Sequence, residues 1–451
     1  MGTNSPKSWF NYLQMLVDIL ILNGALALAF TYRSDWNYFF SSTELYVTSF
    51  IFLSVLGIVL FNFYGLYNTY NKVWSDILSA LIVSVSLLTV AIIVLNYSIP
   101  TYIFPRRVLF TFVLLYTPAI TLWRWQMLML ERKIAMPRRV VIIAPEREVA
   151  ELAKKLSGMN KLVGAVIEDD SQFPREPGGY KVLGSFSQIQ EVFAVHQPNV
   201  ALIPGSLPEE LKNLVSRLCL KHGCSIYVVP NLYEIMVAHS SLDQLRDTPV
   251  IHIALKTKPG TGEIKRVIDC TVAAATLILT LPISLAAALA IKLTSPGPLF
   301  YLQERVGGRG KRFMLYKFRT MVNNAEDQTG PVLCSEKDNR VTKVGHVLRM
   351  LHIDEIPQFI NVLKGDMSIV GPRPERPFFV QQFEKEVPGY SYRLLMKAGI
   401  TGLAQVAGRY STSPEDKLRY DLLYAKGASP IFDLQIMLQT VKVLFMKDKA
   451  S

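Results

Sequence analysis

Cysteine is scarce in this chain. The four present, Cys219, Cys224, Cys270 and Cys334, form no CxxC pair and have no histidines at metal-ligand spacing beside them. A disulfide framework and a Cys/His zinc site are therefore excluded, and reduced thiols in a cytoplasmic setting are the default. Charge is also thin, at 19% of residues, and the acidic sign is the scarcer one: 36 Asp and Glu against 48 Lys and Arg, a net +12. No recognisable nucleic-acid-binding module accompanies that excess. The basic balance therefore points to a membrane surface and anionic substrates, with no nucleic acid as partner. No small-residue cleavage site follows the first apolar run, which reads as a retained anchor and not a signal peptide.

Apolar sequence, by contrast, is plentiful. Half of the 451 residues are hydrophobic and mean hydropathy is +0.25, high for a soluble protein. Four runs, 9–30, 45–64, 77–95 and 108–130, each approach the ~20 residues needed to cross ~30 Å of hydrocarbon. Trp9, Trp36, Tyr64, Tyr67, Trp74, Trp123 and Trp125 cluster near their ends, where amphipathic rings prefer to sit. Arg132, Lys133, Arg138 and Arg139 then form a positive flank. With four crossings, that flank and the N-terminus share the cytoplasmic side. Asp18, inside the first run, suits an interhelical hydrogen bond.

From 137 to 256 the pattern changes to short strand-length runs (139–144, 162–167, 200–204, 225–229) with helical patterns between some of them. That predicts a Rossmann-like parallel sheet. However, Pro145-Glu-Arg-Glu stands where dinucleotide binding requires GxGxxG, and its acids would repel phosphates. The domain reads as structural or regulatory.

A further apolar run, 270–291, is long enough to cross a bilayer, but Pro282 near its midpoint should bend it. Its flanks are basic on both sides, with Lys265 and Arg266 before it and Lys292, Arg305, Arg309, Lys311 and Arg312 after it. Both features favour a helix–break–helix that dips into one leaflet; a kinked fifth crossing is the alternative. Next, 298–307 and 311–321 predict a β-hairpin, with Lys317 and Arg319 on one strand face and Phe318 opposite. Two cations pointing together suit a diphosphate. Gly399, Gly402 and Gly408 mark turns around Gln405 and Arg409, and the apolar run 431–446 fits an interfacial helix.

The rest of the chain is organised around 351–376, LHIDEIPQFINVLKGDMSIVGPRPER. Adjacent acids Asp354 and Glu355, Pro357, an apolar-periodic run and Gly365 predict a short helix with both acids in its first turn. A helix N-terminus favours an ionised carboxylate. A Gly-Pro-Arg-Pro turn then fixes the backbone around Arg373.

HIDEIPQFINVLKGDMSIVGPRP closely resembles the signature of bacterial polyprenyl-phosphate sugar-1-phosphate transferases. Further matches are KR-x-x-D at 265–269, SPGPLFYLQERVG at 295–307, YKFRTM at 316–321 and KAGITGLAQVAGR at 397–409. The upstream arrangement resembles the long form of that family. The resemblance implies a membrane protein of three parts: a four-helix transmembrane region (1–136), a Rossmann-like cytoplasmic domain (137–256) and an α/β monotopic catalytic domain (257–451). The re-entrant helix would span 265–293, with Lys265, Arg266, Asp269 and Pro282 in its motif. The implied reaction moves a hexose-1-phosphate from a UDP-sugar, with glucose or galactose favoured, to undecaprenyl phosphate, which initiates polysaccharide assembly. By the same resemblance Asp354 is the nucleophile and Glu355 a Mg²⁺ ligand, while Lys317, Arg319, Arg340, Arg373, Gln405 and Arg409 contact substrate. The setting is the cytoplasmic face of the bacterial inner membrane, with its lipid as a partner, and the long forms suggest a homodimer.

Two rival classes share parts of this pattern. A membrane-anchored nucleotide-sugar dehydratase or epimerase would need the missing Gly-rich turn and a Tyr-x-x-x-Lys, and no Tyr here has Lys four residues on. A non-catalytic polysaccharide-export protein would not need Asp354, Glu355 and Arg373 intact.

Overall fold

The computed structural model describes residues 7–33, 43–67, 69, 72–98, 106–134, 138–156, 160–168, 180–238, 241–245, 248–252, 261–322, 340–408 and 412–444. Two compact units result, Met1–Val229 and Pro230–Ser451.

The first unit opens with helices α1 (Lys7–Arg33), α2 (Thr43–Phe63), α3 (Trp74–Ser98) and α4 (Arg106–Ile134). Three carry spans long and apolar enough to cross a membrane: Phe10–Tyr32, Trp74–Leu95 and Arg106–Lys133. Four crossings were expected. The fourth helix, α2, has 21 residues, and among the described residues its apolar stretch is Phe50–Phe63. Arg124 of α4, only 1% exposed, pairs with Asp18 of α1 and donates to Gln14 Oε1 and the Leu66 carbonyl, both at 2.9 Å. The rings of Phe61 and Tyr67 cover the guanidinium at 5.1 and 4.9 Å. Asp18 thus accepts the interhelical hydrogen bond that was anticipated, from a partner that also makes it an ion pair.

The same unit contains a five-stranded parallel sheet in the order β3-β2-β1-β4-β5. Its strands are β1 (Arg138–Ile143), β2 (Asn160–Ile167), β3 (Val182–Ser185), β4 (Val200–Pro204) and β5 (Ser225–Val229). Successive residues of β1 enter opposite cores: Val141 and Ile143 pack with Phe193 and Val215, Val140 and Ile142 with Val149 and Leu152. Both faces are therefore covered, by α5 (Glu146–Lys155) on one side and α6 (Ile189–His196) and α7 (Glu209–His222) on the other. At the C-terminal ends of β1 and β4, where the strand order reverses, Glu148 accepts from Ser206 Oγ at 3.0 Å through each carboxylate oxygen.

The second unit begins earlier than 257. Helix α8 (Leu232–Ala238) buries Ile235 against Tyr390, Leu418 and Leu422, and Arg419 Nε donates to the Pro230 carbonyl at 2.9 Å. A short hairpin, β6 (Ser241–Leu245) and β7 (Thr248–His252), follows. Then α9 (Thr261–Leu279) and α10 (Leu281–Thr294) meet at a 60° bend. Pro282 lies in the first turn of α10, and the Thr276 and Thr280 hydroxyls bond back to the carbonyls four residues earlier (2.8 and 2.7 Å). Both features bend helices. Ile278 and Leu279 at the bend are 72% and 78% exposed, so the tip has no protein cover.

The expected hairpin is present as β8 (Phe300–Val306) and β9 (Arg312–Phe318), antiparallel. The chain continues through α11 (Lys343–Met350), a 3-10 turn at Ile353–Glu355, α12 (Gln358–Lys364), β10 (Ser368–Val370), α13 (Pro377–Glu386) and β11 (Gly399–Thr401). Helices α14 (Leu403–Ala407), α15 (Pro414–Gly427) and α16 (Pro430–Val443) complete it. Phe313, Leu315, Val362, Met367, Ile369, Tyr424 and Ile436 form its main core. A second cluster packs Ala287 and Ile291 of α10 against Phe318, Leu348, Ile353 and Ile356, which seats the 3-10 turn on the bent helix pair.

Candidate active site

Asp354 and Glu355 were expected in the first turn of a helix. They sit instead on the separate 3-10 turn ahead of α12. Pro357 has no N–H to return to the Ile353 carbonyl, which accepts from Ile356 at 3.2 Å instead. The shorter spacing continues with Phe359 to Ile356 and Ile360 to Pro357 (3.1 and 3.0 Å). His352 enters the turn with φ at 54°, a left-handed conformation unusual for a residue with a Cβ.

Three chain segments meet at these acids. Lys317, from β9, reaches Glu355 Oε1 at 2.7 Å and lies 3.9 Å from Asp354 Oδ2. Arg373, from the 371–375 turn, donates to Glu355 Oε1 at 2.8 Å. Asn361 of α12 locks the geometry: its Oδ1 accepts from Tyr316 N at 3.0 Å and its Nδ2 donates to the Met314 carbonyl at 2.8 Å. That fixes α12, and the turn before it, against the strand carrying Lys317.

The two carboxyls titrate in opposite directions. Asp354 is raised by its burial and by the Glu355 charge, against the pull of Lys317, Arg349 and His352. Burial pushes Glu355 up too, but Arg373 and Lys317 prevail and hold it well below the usual carboxylate range. A helix N-terminus was expected to favour the charged form of Asp354; the acid sits on a 3-10 turn instead, and its burial raises it. Paired acids pushed apart in this way are a mark of acid–base and nucleophile sites.

The other predicted contacts fare differently. Arg319 does not join Lys317. It is buried, and its guanidinium donates to the Ser295 and Pro296 carbonyls at 2.7 and 2.9 Å, capping the end of α10. Strand alternation fails there because β9 stops at Phe318. Gln405 donates to the Ile400 carbonyl of its own turn at 3.0 Å. The Arg340 carbonyl accepts from Val322 N at 3.0 Å, beside the bridge between Met321 and Val341. Arg409 lies outside the described residues.

The KR-x-x-D residues are anchors. Lys265 pairs with Asp433 at 2.6 Å, Arg266 donates to the Val362 and Leu363 carbonyls at the end of α12 (2.5 and 2.8 Å), and Asp269 accepts from Ile369 N at 3.0 Å. Pro282 stands at the bend. Sequence reasoning missed Arg349, whose charge acts on Asp354. It missed Arg305 as a site residue too, although this arginine lines a small cleft with Lys317, Gln358 and Arg373. Neither lies in a pattern tied to the acid pair.

Among the described residues no three His, Cys, Asp or Glu side chains gather as a metal cage. Mg²⁺ needs few protein carboxylates when phosphate oxygens and water complete its shell, and two adjacent acids meet that sparse requirement.

Residues 261–447 match the family model described as bacterial sugar transferase. A UDP-N-acetylgalactosamine-undecaprenyl-phosphate N-acetylgalactosaminephosphotransferase of Aeromonas hydrophila is 40% identical over 53% of this chain and 56% of its own. A UDP-glucose:undecaprenyl-phosphate glucose-1-phosphate transferase of Escherichia coli (strain K12) is 38% identical over 51% of each. A putative undecaprenyl-phosphate N-acetylgalactosaminyl 1-phosphate transferase of Bacillus subtilis (strain 168) is 50% identical over 29% of this chain and 73% of its own. The chain belongs to the bacterial sugar transferase family. Its matches span about half the length of the first two of these relatives.

Proposed function

We propose that this protein transfers a hexose-1-phosphate from a UDP-sugar to undecaprenyl phosphate, as the first step of a surface polysaccharide. The observation that carries this reading is two carboxylates on one tight turn, facing Lys317 and Arg373 and titrating apart. Asp354 attacks the phosphorus next to the sugar. An Asp–phosphorus bond forms as the bond to UMP breaks, and UMP leaves with the electron pair. A phosphate oxygen of undecaprenyl phosphate then attacks the same phosphorus, and Asp354 departs as a carboxylate. Lys317 and Arg373 neutralise the diphosphate while UMP departs. Glu355 would hold Mg²⁺, which would supply positive charge against the repulsion between attacking anion and diphosphate.

Placement at the cytoplasmic side of the inner membrane brings a soluble dianion and a lipid to one site. The 60° bend, the bare apolar tip and the anchoring of both ends support a re-entrant helix pair. Lys265, Arg266 and Asp269 tie its first end to the catalytic core, and Arg319 ties its second. Two ends held by one core belong on one face of the bilayer. The doubly wound sheet of the first unit is Rossmann-like in order, and the Glu148–Ser206 contact puts a carboxylate where a dinucleotide phosphate would lie, which suits a structural or regulatory role.

The relatives' names divide among glucose, galactose and N-acetylgalactosamine, and the donor proposed is a UDP-hexose of that group. Membranes containing the protein should move label from a UDP-sugar panel into organic-extractable lipid. Without acceptor, the sugar phosphate should be trapped on residue 354. Label transfer with no adduct there would sink the covalent mechanism and leave the reaction class standing.

A further inference from the structure

The turn that carries Arg373 cannot hold itself. Two of its residues, Pro372 and Pro374, have no N–H to bond with. Other parts of the chain hold it instead. Arg393 Nη2 donates to the Arg373 carbonyl at 3.0 Å, and Arg305 Nη1 donates to the Pro374 carbonyl at 2.9 Å. Both guanidiniums flank Glu375, at 4.0 and 3.6 Å, while Val306 N donates to the Glu375 carbonyl at 2.9 Å. Arg393 is buried, paired with Asp421 of α15 at 2.9 Å and bonded to the Tyr390 hydroxyl.

We infer that Arg393 is a positioning residue for the transfer reaction: with Arg305 and Glu375 it clamps the 371–375 turn, so that Arg373 meets Glu355. The inference rests on the proposed role of Arg373 in that reaction. A buried ion pair contributes little to stability on average, since desolvation offsets the attraction. Arg393 is placed to do something more specific, because one of its donors ends on the backbone of the residue that holds Glu355. Supporting residues of this kind typically change activity tenfold to a hundredfold when altered.

The test uses the full-length protein in two measurements. In Arg393→Lys, amide hydrogen exchange of 371–376 should rise about tenfold while β8, β9 and α12 keep wild-type rates. The kcat for UMP release should fall about tenfold to a hundredfold, with the KM for UDP-sugar changed far less. In an Arg373→Ala background the same substitution should cost less than about twofold, since coupled residues are not additive. The double variant Arg393→Met with Asp421→Leu removes the buried pair without leaving one charge alone, and should show the same kcat loss in a folded protein. Unchanged exchange in 371–376, or losses that multiply in full with Arg373→Ala, would overturn the inference. A wild-type protein that transfers no sugar phosphate would refute the functional reading instead, and the exchange measurement would still decide the clamp.

Discussion

Two clusters of opposite charge lie inside this protein, and they are built to different ends. In the bundle of apolar helices one carboxylate, Asp18, meets one guanidinium, Arg124, in a buried place beside aromatic rings. In the catalytic unit two carboxylates share Lys317 and Arg373, and the Arg373 side chain is 40% exposed. The first cluster pairs one charge with one and is buried on both sides of the pair. The second keeps Asp354 at a distance from its cations and opens towards solvent through Arg373. Access and an uneven share of charge separate the proposed reactive site from a strut.

The largest effect that could break this contrast is on turnover. Asp354→Asn should lower UMP release by about 10⁴-fold or more, with the thermal midpoint unchanged. Next comes Arg124→Ala, which leaves Asp18 buried alone. It should cost about 3 kcal/mol of stability, read as earlier thermal inactivation, while turnover per folded molecule stays within about twofold. Were Arg124→Ala to silence a still-folded protein as Asp354→Asn does, the two clusters would not differ as described. Glu355→Gln should raise the Mg²⁺ concentration needed for half-maximal activity by about tenfold to a hundredfold, and an unmoved metal titration would take Glu355 out of the ligand set.

The smallest predicted effect sharpens the electrostatics. In the proposed mechanism Asp354 must be ionised to attack, and its carboxyl is raised in the folded protein. Activity should therefore be present at higher pH and be lost as pH falls through a value above that of an ordinary aspartate. Lys317 pulls that value down, so Lys317→Met should move the acid limb of the kcat profile to higher pH. A limb that moved to lower pH would show that Lys317 does not act on Asp354 in this way.

Much of this could be read along the chain. The apolar runs, the parallel sheet and the β8–β9 hairpin follow from periodicity, and the bend follows from Pro282. The acid pair stood out through the family signature around it, HIDEIPQFINVLKGDMSIVGPRP, since adjacent carboxylates alone read as readily as a helix cap. Arg319 was misplaced because its partners, the Ser295 and Pro296 carbonyls, are the open end of a helix more than twenty residues earlier. The start of the second unit was misplaced because α8 finds its apolar partners on α15, which no window around residue 235 contains. Arg305 was read only as a basic flank, and Arg393 not at all, because each acts on the 371–375 turn, 69 and 20 residues away in sequence.

By itself the sequence determined which segments are apolar enough for a membrane, which form strands and helices, and where two carboxylates stand side by side. These follow from composition and spacing, which are properties of neighbours along the chain. Only the tertiary structure decided which cations reach those carboxylates, which acid is raised and which lowered, and which arginines hold the backbone. Electrostatic and hydrogen-bond energies depend on distance through space. Here β9, the 353–355 turn and the 371–375 turn come within a few ångströms only because Asn361 and the shared core pack them together.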